Sequence, residues 1–93
     1  MEFLWKKSVK SLEFDPAAFQ DLAWWIEQDR RKALKIMKLI EAVQREPFTG
    51  VGQPEILKHD LAGRWSRRID QEHRLVYEVL ETKIRILSCR YHY

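Results

Sequence analysis

Residues 64–80 read Arg64-Trp65-Ser66-Arg67-Arg68-Ile69-Asp70-Gln71-Glu72-His73-Arg74-Leu75-Val76-Tyr77-Glu78-Val79-Leu80. In the first part Trp65, Arg67 and Ile69 alternate with Ser66, Arg68 and Asp70. A period of two belongs to a strand, whose successive side chains leave on opposite faces. Arg67 and Arg68 therefore point to opposite sheet faces and cannot both serve one site directly. Arg74 to Leu80 is rich in strand-forming residues. The linker Asp70 to His73 is short enough that the two strands form an antiparallel hairpin.

Reading downstream, Glu81-Thr82 marks a second reversal, and Ile84 to Tyr93 is again rich in β-formers. Upstream, Asp60 to Gly63 forms a further short linker. Phe48 to Pro54 is punctuated by Gly50, Gly52 and Pro54 and reads as a loop. Before it the period is helical. Asp15-Pro16 is an N-cap followed by the first residue of a helix, with Phe19, Leu22, Trp25 and Ile26 at helical spacing. Asp29 caps a second helix, in which Ala33, Ile36, Met37, Ile40 and Val43 share one face and Lys32, Lys35, Lys38 and Glu41 lie opposite. Pro47 stops it. Phe3-Leu4-Trp5 reads as a first strand. The expected fold is one α+β domain over residues 1–93. It has an N-terminal strand, two helices, and then a three- to four-stranded, mostly antiparallel sheet with the helices on one face and the other face free for a site.

The bulk properties exclude several function classes. A 93-residue chain buries only about 60–65% of its unfolded surface, so it cannot also enclose a large cofactor. Lys plus Arg is 17 and Asp plus Glu is 14, a formal charge of 17 − 14 = +3 that is only weak support for a nucleic-acid partner. The single cysteine, Cys89, rules out an intrachain disulfide and a multi-thiolate zinc site, and points to reducing cytosol. The first residues, Met-Glu-Phe-Leu-Trp-Lys-Lys, lack the sustained apolar stretch of a secretory signal. No apolar run approaches the roughly 18 residues of a membrane span.

Polar groups crowd the second half: Glu55 after the glycine-rich loop, Lys58 and His59, Arg67 and Arg68, His73 and Arg74, and Arg90-Tyr91-His92-Tyr93. There is no H-E-x-x-H, no Walker loop, no G-x-S-x-G, and no Cys or carboxylate cluster at metal spacing. One reaction uses a carboxylate, a histidine and arginines without a cofactor: RNA cleavage by the substrate's own 2′-hydroxyl. A general base takes the 2′-OH proton, a general acid protonates the leaving 5′-oxygen, and a cation stabilises the pentacoordinate phosphate. Arginine suits the cationic role because its guanidinium is planar, permanently charged and bidentate toward phosphate. Histidine titrates near neutrality and suits the acid.

The stretch Pro47-Phe48-Thr49-Gly50-Val51-Gly52-Gln53-Pro54-Glu55-Ile56-Leu57-Lys58-His59 resembles the P-F-x-G-x-G-x-P-E-x-L-K-H segment of the Txe/YoeB family. So do Gly63, Trp65-Ser66-Arg67-Arg68-Ile69, Glu72-His73-Arg74-Leu75-Val76-Tyr77 and Cys89-Arg90-Tyr91-His92-Tyr93. These motifs span nearly all of residues 47–93 in order; the first half matches in architecture and scattered aromatics. The resemblance implies a RelE-like fold and a ribosome-dependent messenger-RNA endonuclease that needs no cofactor. It implies Glu55 as general base, His92 as general acid, and Arg74 as the group that stabilises the phosphate charge. Lys58 and Arg68 would hold the RNA backbone, and Tyr93 would contact or stack near the scissile nucleotides. Base and acid lie near one phosphate and titrate jointly, so rate profiles alone do not assign the two roles. The resemblance further implies messenger RNA on the ribosome and ribosomal RNA as contacts, a YefM/Axe-type antitoxin, a homodimer and a cytoplasmic location. Three departures stand out: Ser11 to Asp15 lengthen the first connection, Arg64 replaces an aromatic, and Asp60 replaces the commoner Asn.

Each residue also has an ordinary reading. Glu55 is otherwise a loop acid, Arg74 half of a surface ion pair with Glu72, and His92 a frayed residue. His59 and His73 read as structural or solvent-facing. Trp24 and Trp25 read as core or a dimer seam. The basic side chains of Arg30 to Lys38 read as a solvated helix face that also suits RNA phosphates. The rival functions are a non-catalytic ribosome- or RNA-binding blocker of translation and a stand-alone ribonuclease.

Overall fold

Two proline-bounded helices lie between the first strand and the other four in the computed structural model, which describes residues 9–58 and 63–91. Helix α1 spans Pro16–Gln28 and begins where Asp15-Pro16 places it, because proline fixes φ and its missing N–H is not needed in the first turn. Asp15 occupies the N-cap position without donating or accepting a side-chain cap bond. Asp29 serves two helices. Its backbone N–H donates to the Trp25 carbonyl to close α1, and its carboxylate accepts from the Lys32 N–H to open α2, Arg30–Arg45. Pro47 lies two residues past the end of α2.

The strands are β1 (Ser11–Phe14), β2 (Glu55–Ile56), β3 (Arg64–Arg68), β4 (Arg74–Val79) and β5 (Lys83–Ser88). They form one sheet in the order β1-β5-β4-β3-β2. β2 to β5 pair antiparallel, and β1 lies parallel to β5 with Leu12 beside Ile84 and Phe14 beside Ile86. The expected α+β architecture is thus present, and among the described residues its first strand is Ser11–Phe14. Ser11–Phe14, read from sequence as a lengthened connection, is the strand; Phe3-Leu4-Trp5 lies outside the described residues. Ser11–Phe14 has weak alternation of its own, and its strand conformation comes from hydrogen bonding to a partner some 70 residues away in sequence, including Asp15 N–H to Ile86 O at 2.9 Å.

The helices cover one sheet face. Ala18, Trp25, Ala33, Ile36, Leu39, Ile40 and Val43 of the helices pack with Leu75, Tyr77, Ile84 and Ile86 of the central strands. Leu39 takes the buried place expected of Met37, which is half exposed. Phe19 and Ile26 are also exposed, although their spacing suggested core. A helix offers its core only a stripe, and Ala18 and Trp25 occupy that stripe on α1. The opposite sheet face presents Glu13, Glu55, Arg68, Arg74, Glu78 and Arg85, because these residues are out of phase with the buried set. Lys83 and Arg85 both pair with Glu13, and this proximity holds the Glu13 carboxyl below its ordinary range. No helix among the described residues is long and apolar enough to cross a membrane.

Candidate active site

Glu55 reaches the open face because the edge strand β2 is held by β3 and by the loop that precedes it. It pairs antiparallel with β3, Glu55 opposite Ser66 and Ile56 opposite Trp65. The loop that delivers it wraps the guanidinium of Arg67, which is fully buried. Arg67 donates to the carbonyls of Glu46, Thr49 (2.8 Å) and Val51 (3.1 Å), and to the Tyr77 hydroxyl at 3.2 Å. The Tyr77 hydroxyl donates to the Pro47 carbonyl at 2.7 Å. Burial pushes the Tyr77 phenol above its ordinary value despite the adjacent Arg67, so it remains a donor. The loop also closes on the strand directly, with Arg68 N–H donating to Gly52 O at 2.7 Å. Gly52 has φ +85°, and a Cβ there would stand 3.1 Å from Arg67 Cβ and Leu39 Cδ2. Only glycine fits both the backbone and the space.

Arg74 opens β4, paired with Arg68 across the β3–β4 ladder. Its Nη1 lies 3.3 Å from Glu55 Oε1. The sequence-level pairing of Arg74 with Glu72 is therefore not what the fold makes; a carboxylate 19 residues upstream takes that place. The two partners sit in unequal environments, since the Arg74 side chain is 17% exposed and that of Glu55 62% exposed. Arg74 Nε and Ser66 Oγ are buried without a hydrogen-bond partner among the described residues. Arg68 and Lys58 are exposed, Arg68 on the strand beside Arg74 and Lys58 just past β2. His92 and Tyr93, like His59, lie outside the described residues.

The segment that leads to His92 is held at four backbone groups. Cys89 N–H donates to Asp21 Oδ2 at 3.0 Å, and Cys89 O accepts from Trp25 Nε1 at 2.7 Å. Tyr91 N–H donates to His73 Nδ1 at 2.6 Å, and Tyr91 O accepts from Arg74 N–H at 3.1 Å. Tyr91 itself has φ +64°, a left-handed turn that a non-glycine residue adopts only when its surroundings impose it. Arg90 adds a stacked contact, its guanidinium carbon 3.6 Å from the Trp24 ring centroid and 4.7 Å from that of Tyr91. The Cys89 thiol is buried, and burial together with Asp21 pushes its pKa up to about 12, so it belongs to packing and not to chemistry.

Sequence reading missed two parts of this arrangement. The sequence shows Arg67 only as facing away from Arg68; its phase with Trp65 and Ile69 is the signal that it points into the helix-covered side. The four-point hold on residues 89–91 had no signal, because its partners come from α1 and from the start of β4. Two of the basic residues on α2 are likewise not simply solvated: Lys32 pairs with Asp70 at 2.5 Å and Lys35 donates to the Ile69 carbonyl. Both fasten the β3–β4 turn to the helix.

The arrangement has close counterparts. The family model for the YoeB-like toxin of bacterial type II toxin–antitoxin systems matches residues 14–93. The toxin YoeB of Mycobacterium bovis is 48% identical over 85 residues, 91% of this chain and 100% of the relative. Among solved structures, the YoeB/ParE toxin from Agrobacterium tumefaciens superposes with a TM-score of 0.87 at 42% identity, covering 89% of this chain and 99% of that one. A Staphylococcus aureus YoeB, solved as a dimer, gives a TM-score of 0.84 at 42% identity, covering 90% of this chain and 98% of that one. The same organism's YoeB in a heterotetrameric complex with YefM gives 0.82. A glycine-rich loop clamped on a buried arginine, a carboxylate and an arginine meeting on the open face, and a match that runs through both sequence halves lead to one statement: this chain belongs to the family of YoeB-like toxins of bacterial type II toxin–antitoxin systems.

Proposed function

We propose that the chain is a ribosome-dependent endoribonuclease that cuts messenger RNA, and that Glu55, Arg74 and His92 carry the reaction. Glu55 takes the proton of the 2′-hydroxyl. The 2′-oxygen attacks the adjacent phosphorus, the bond to the 5′-oxygen breaks, and His92 protonates that oxygen as it leaves. The products are a 2′,3′-cyclic phosphate and a 5′-hydroxyl, so no water is consumed in the cut. Arg74 faces the non-bridging oxygens and offsets the charge that builds on them, a contribution of about 3–4 kcal/mol for one well-placed donor. Arg68 and Lys58 hold the flanking phosphates, and Tyr93 stacks on or contacts the bases beside the cut.

The observation that carries this reading is the Glu55–Arg74 contact of 3.3 Å. It is an exposed base beside a largely buried, permanently charged donor. That donor retains a buried, unpartnered Nε–H among the described residues, and Ser66 Oγ is buried and unpartnered nearby. An unsatisfied buried donor costs about 1–3 kcal/mol, a cost that an RNA phosphate oxygen accepting from it would offset. The ribosome enters because Glu55 stands exposed on the edge strand β2, where the chain by itself holds a flexible RNA strand poorly. Positioning is worth up to about 7–11 kcal/mol, and another body must supply it. Work on ribosomes places the chain in the cytoplasm. A YefM-type antitoxin and a second copy of the chain are its protein partners, in line with the two Staphylococcus aureus assemblies. The exposed apolar side chains of Phe19, Ile26, Leu34 and Met37 provide area for such partners.

The test is primer extension on a translated message with the wild type, Glu55→Ala, Arg74→Ala and His92→Gln. Cutting by the wild type that the three variants lose supports the reading. Translation blocked equally by all four chains without cuts means a binder, and rapid cutting of naked RNA means a stand-alone nuclease.

A further inference from the structure

The hold on Tyr91 has a chemical requirement. A backbone N–H can only donate, so the ring nitrogen it meets at 2.6 Å must accept. Nδ1 of His73 is therefore unprotonated, the proton sits on Nε2, and the imidazole is neutral. Nε2 in turn lies 3.7 Å from Glu72 Oε1, the carboxylate of the preceding residue in the chain. The ring cannot swing to another pose. It is 8% exposed, and the Trp25 indole meets it edge-on at 4.8 Å while the Tyr91 ring lies at 5.3 Å. Its backbone is fixed too, through the N–H donated to Asp70 Oδ1 at 2.7 Å.

The adjacent residue in the chain, Arg74, closes the other side of Tyr91 by donating its N–H to the Tyr91 carbonyl. Two consecutive residues, His73 just before β4 and Arg74 at its start, thus grip one residue by both backbone groups, and the second of them carries the guanidinium that meets Glu55. Tyr91 holds a left-handed φ of +64° under that grip. In the sequence residue 92 is the next one.

We propose that His73 is a positioning residue of this site: its neutral imidazole, accepting from Tyr91 N–H, fixes the point at which the chain runs on to His92 and Tyr93 relative to Arg74. The inference rests on the nuclease reading above. It assigns to a buried histidine, outside the acid–base set, the task of holding Tyr91 against the start of β4, where the phosphate-stabilising arginine stands. Loss of the acceptor leaves the fold's core contacts in place and lets residue 91 relax toward an ordinary φ, which moves the residue after it.

The discriminating variants are His73→Asn, whose Oδ1 can take the place of Nδ1, and His73→Phe, which keeps the ring and removes the acceptor. Cleavage is measured under single turnover on programmed ribosomes across enzyme concentration, with thermal melting of each free chain. His73→Phe is expected to lower the saturating rate about ten- to a hundredfold, the cost of a misplacement of about 1 Å. The half-saturating concentration is expected to stay unchanged. His73→Asn is expected to recover to within about threefold. Independently of activity, proton–nitrogen correlation of the wild type is expected to show His73 as the Nε2–H tautomer, with a coupling from Tyr91 N–H to Nδ1 across the hydrogen bond. A protonated Nδ1 overturns the proposal even if the phenylalanine variant does not fold. So does full activity in His73→Phe, or equal loss in both variants at unchanged melting temperature; these outcomes leave the nuclease reading intact. A wild type that never cuts removes that reading and this one with it.

Discussion

Arg67 donates to the Tyr77 hydroxyl at 3.2 Å while both side chains are fully buried, and among the described residues no carboxylate takes part. The charge is met by three loop carbonyls and a phenol oxygen, so the loop before Glu55 is organised around a cation from the strand that Glu55 pairs with. Arg67→Met is therefore expected to do two things. It leaves the carbonyls of Glu46, Thr49 and Val51 without their donor, at a cost of about 3–5 kcal/mol for breaking a buried charged network. It also frees the loop, so β2 and Glu55 lose their register. Urea denaturation followed by tryptophan fluorescence reads the first effect. A variant within 1 kcal/mol of the wild type in that assay would mean that the clamp contributes little.

Gly52 tests the same loop from the backbone. With φ +85° and a Cβ position 3.3 Å from the Arg68 carbonyl, Gly52→Ala is expected to destabilise by about 1–3 kcal/mol. Gly63, also at positive φ, has no atom of the described residues within 4 Å of its Cβ position, so its alanine variant is expected to carry chiefly the backbone cost. The comparison of the two melting curves separates crowding from backbone strain; equal shifts would show that the space around Gly52 is not limiting.

The Glu55–Arg74 pair is expected to matter for catalysis and hardly at all for stability. Glu55 is largely in water, and an ion pair with one exposed partner contributes about 0–1 kcal/mol. Glu55→Gln should leave the unfolding midpoint nearly unchanged while lowering the cleavage rate by about 10²–10⁴-fold, the span of general acid–base assistance. Parallel loss of both would mark Glu55 as a structural residue.

Asp70 supplies a pH dependence. Burial alone would raise its pKa, but the Lys32 ammonium and the backbone N–H groups of Glu72 and His73 outweigh it and hold the carboxyl at about 2. A carboxyl with a depressed folded-state pKa stabilises above its unfolded value of 3.8 and loses that contribution as the pH falls toward about 2. About a quarter of the side chain is exposed, which trims the contribution to about 1 kcal/mol. Stability measured from pH 5 down to pH 2 should fall in the wild type, and Asp70→Asn should be less stable at pH 5 and shallower in that window. Equal slopes would place the acid sensitivity in other carboxylates.

The sequence by itself determined the elements whose signals are local. Proline after Asp15 and Pro47 after Arg45 bound the helices, because proline acts on its own φ and on the residue before it. The change to a period of two at Trp65, with short linkers, determined the antiparallel run from β3 to β5. Glu55, Arg68 and Arg74 stood out through motif text, and alternation put Arg67 on the other face. Tertiary structure decided everything that depends on a distant partner. Ser11–Phe14 is a strand only because β5 offers it an edge. Phe19, Ile26 and Met37 are exposed because α1 and α2 each turn only one stripe to the sheet. Arg74 meets Glu55, not Glu72, because the β2–β3–β4 register sets their separation, and sequence distance does not. His73 became an acceptor because the chain returns to it 18 residues later. Periodicity reports which way a side chain leaves the backbone; what it meets there is fixed by the packing of the whole chain.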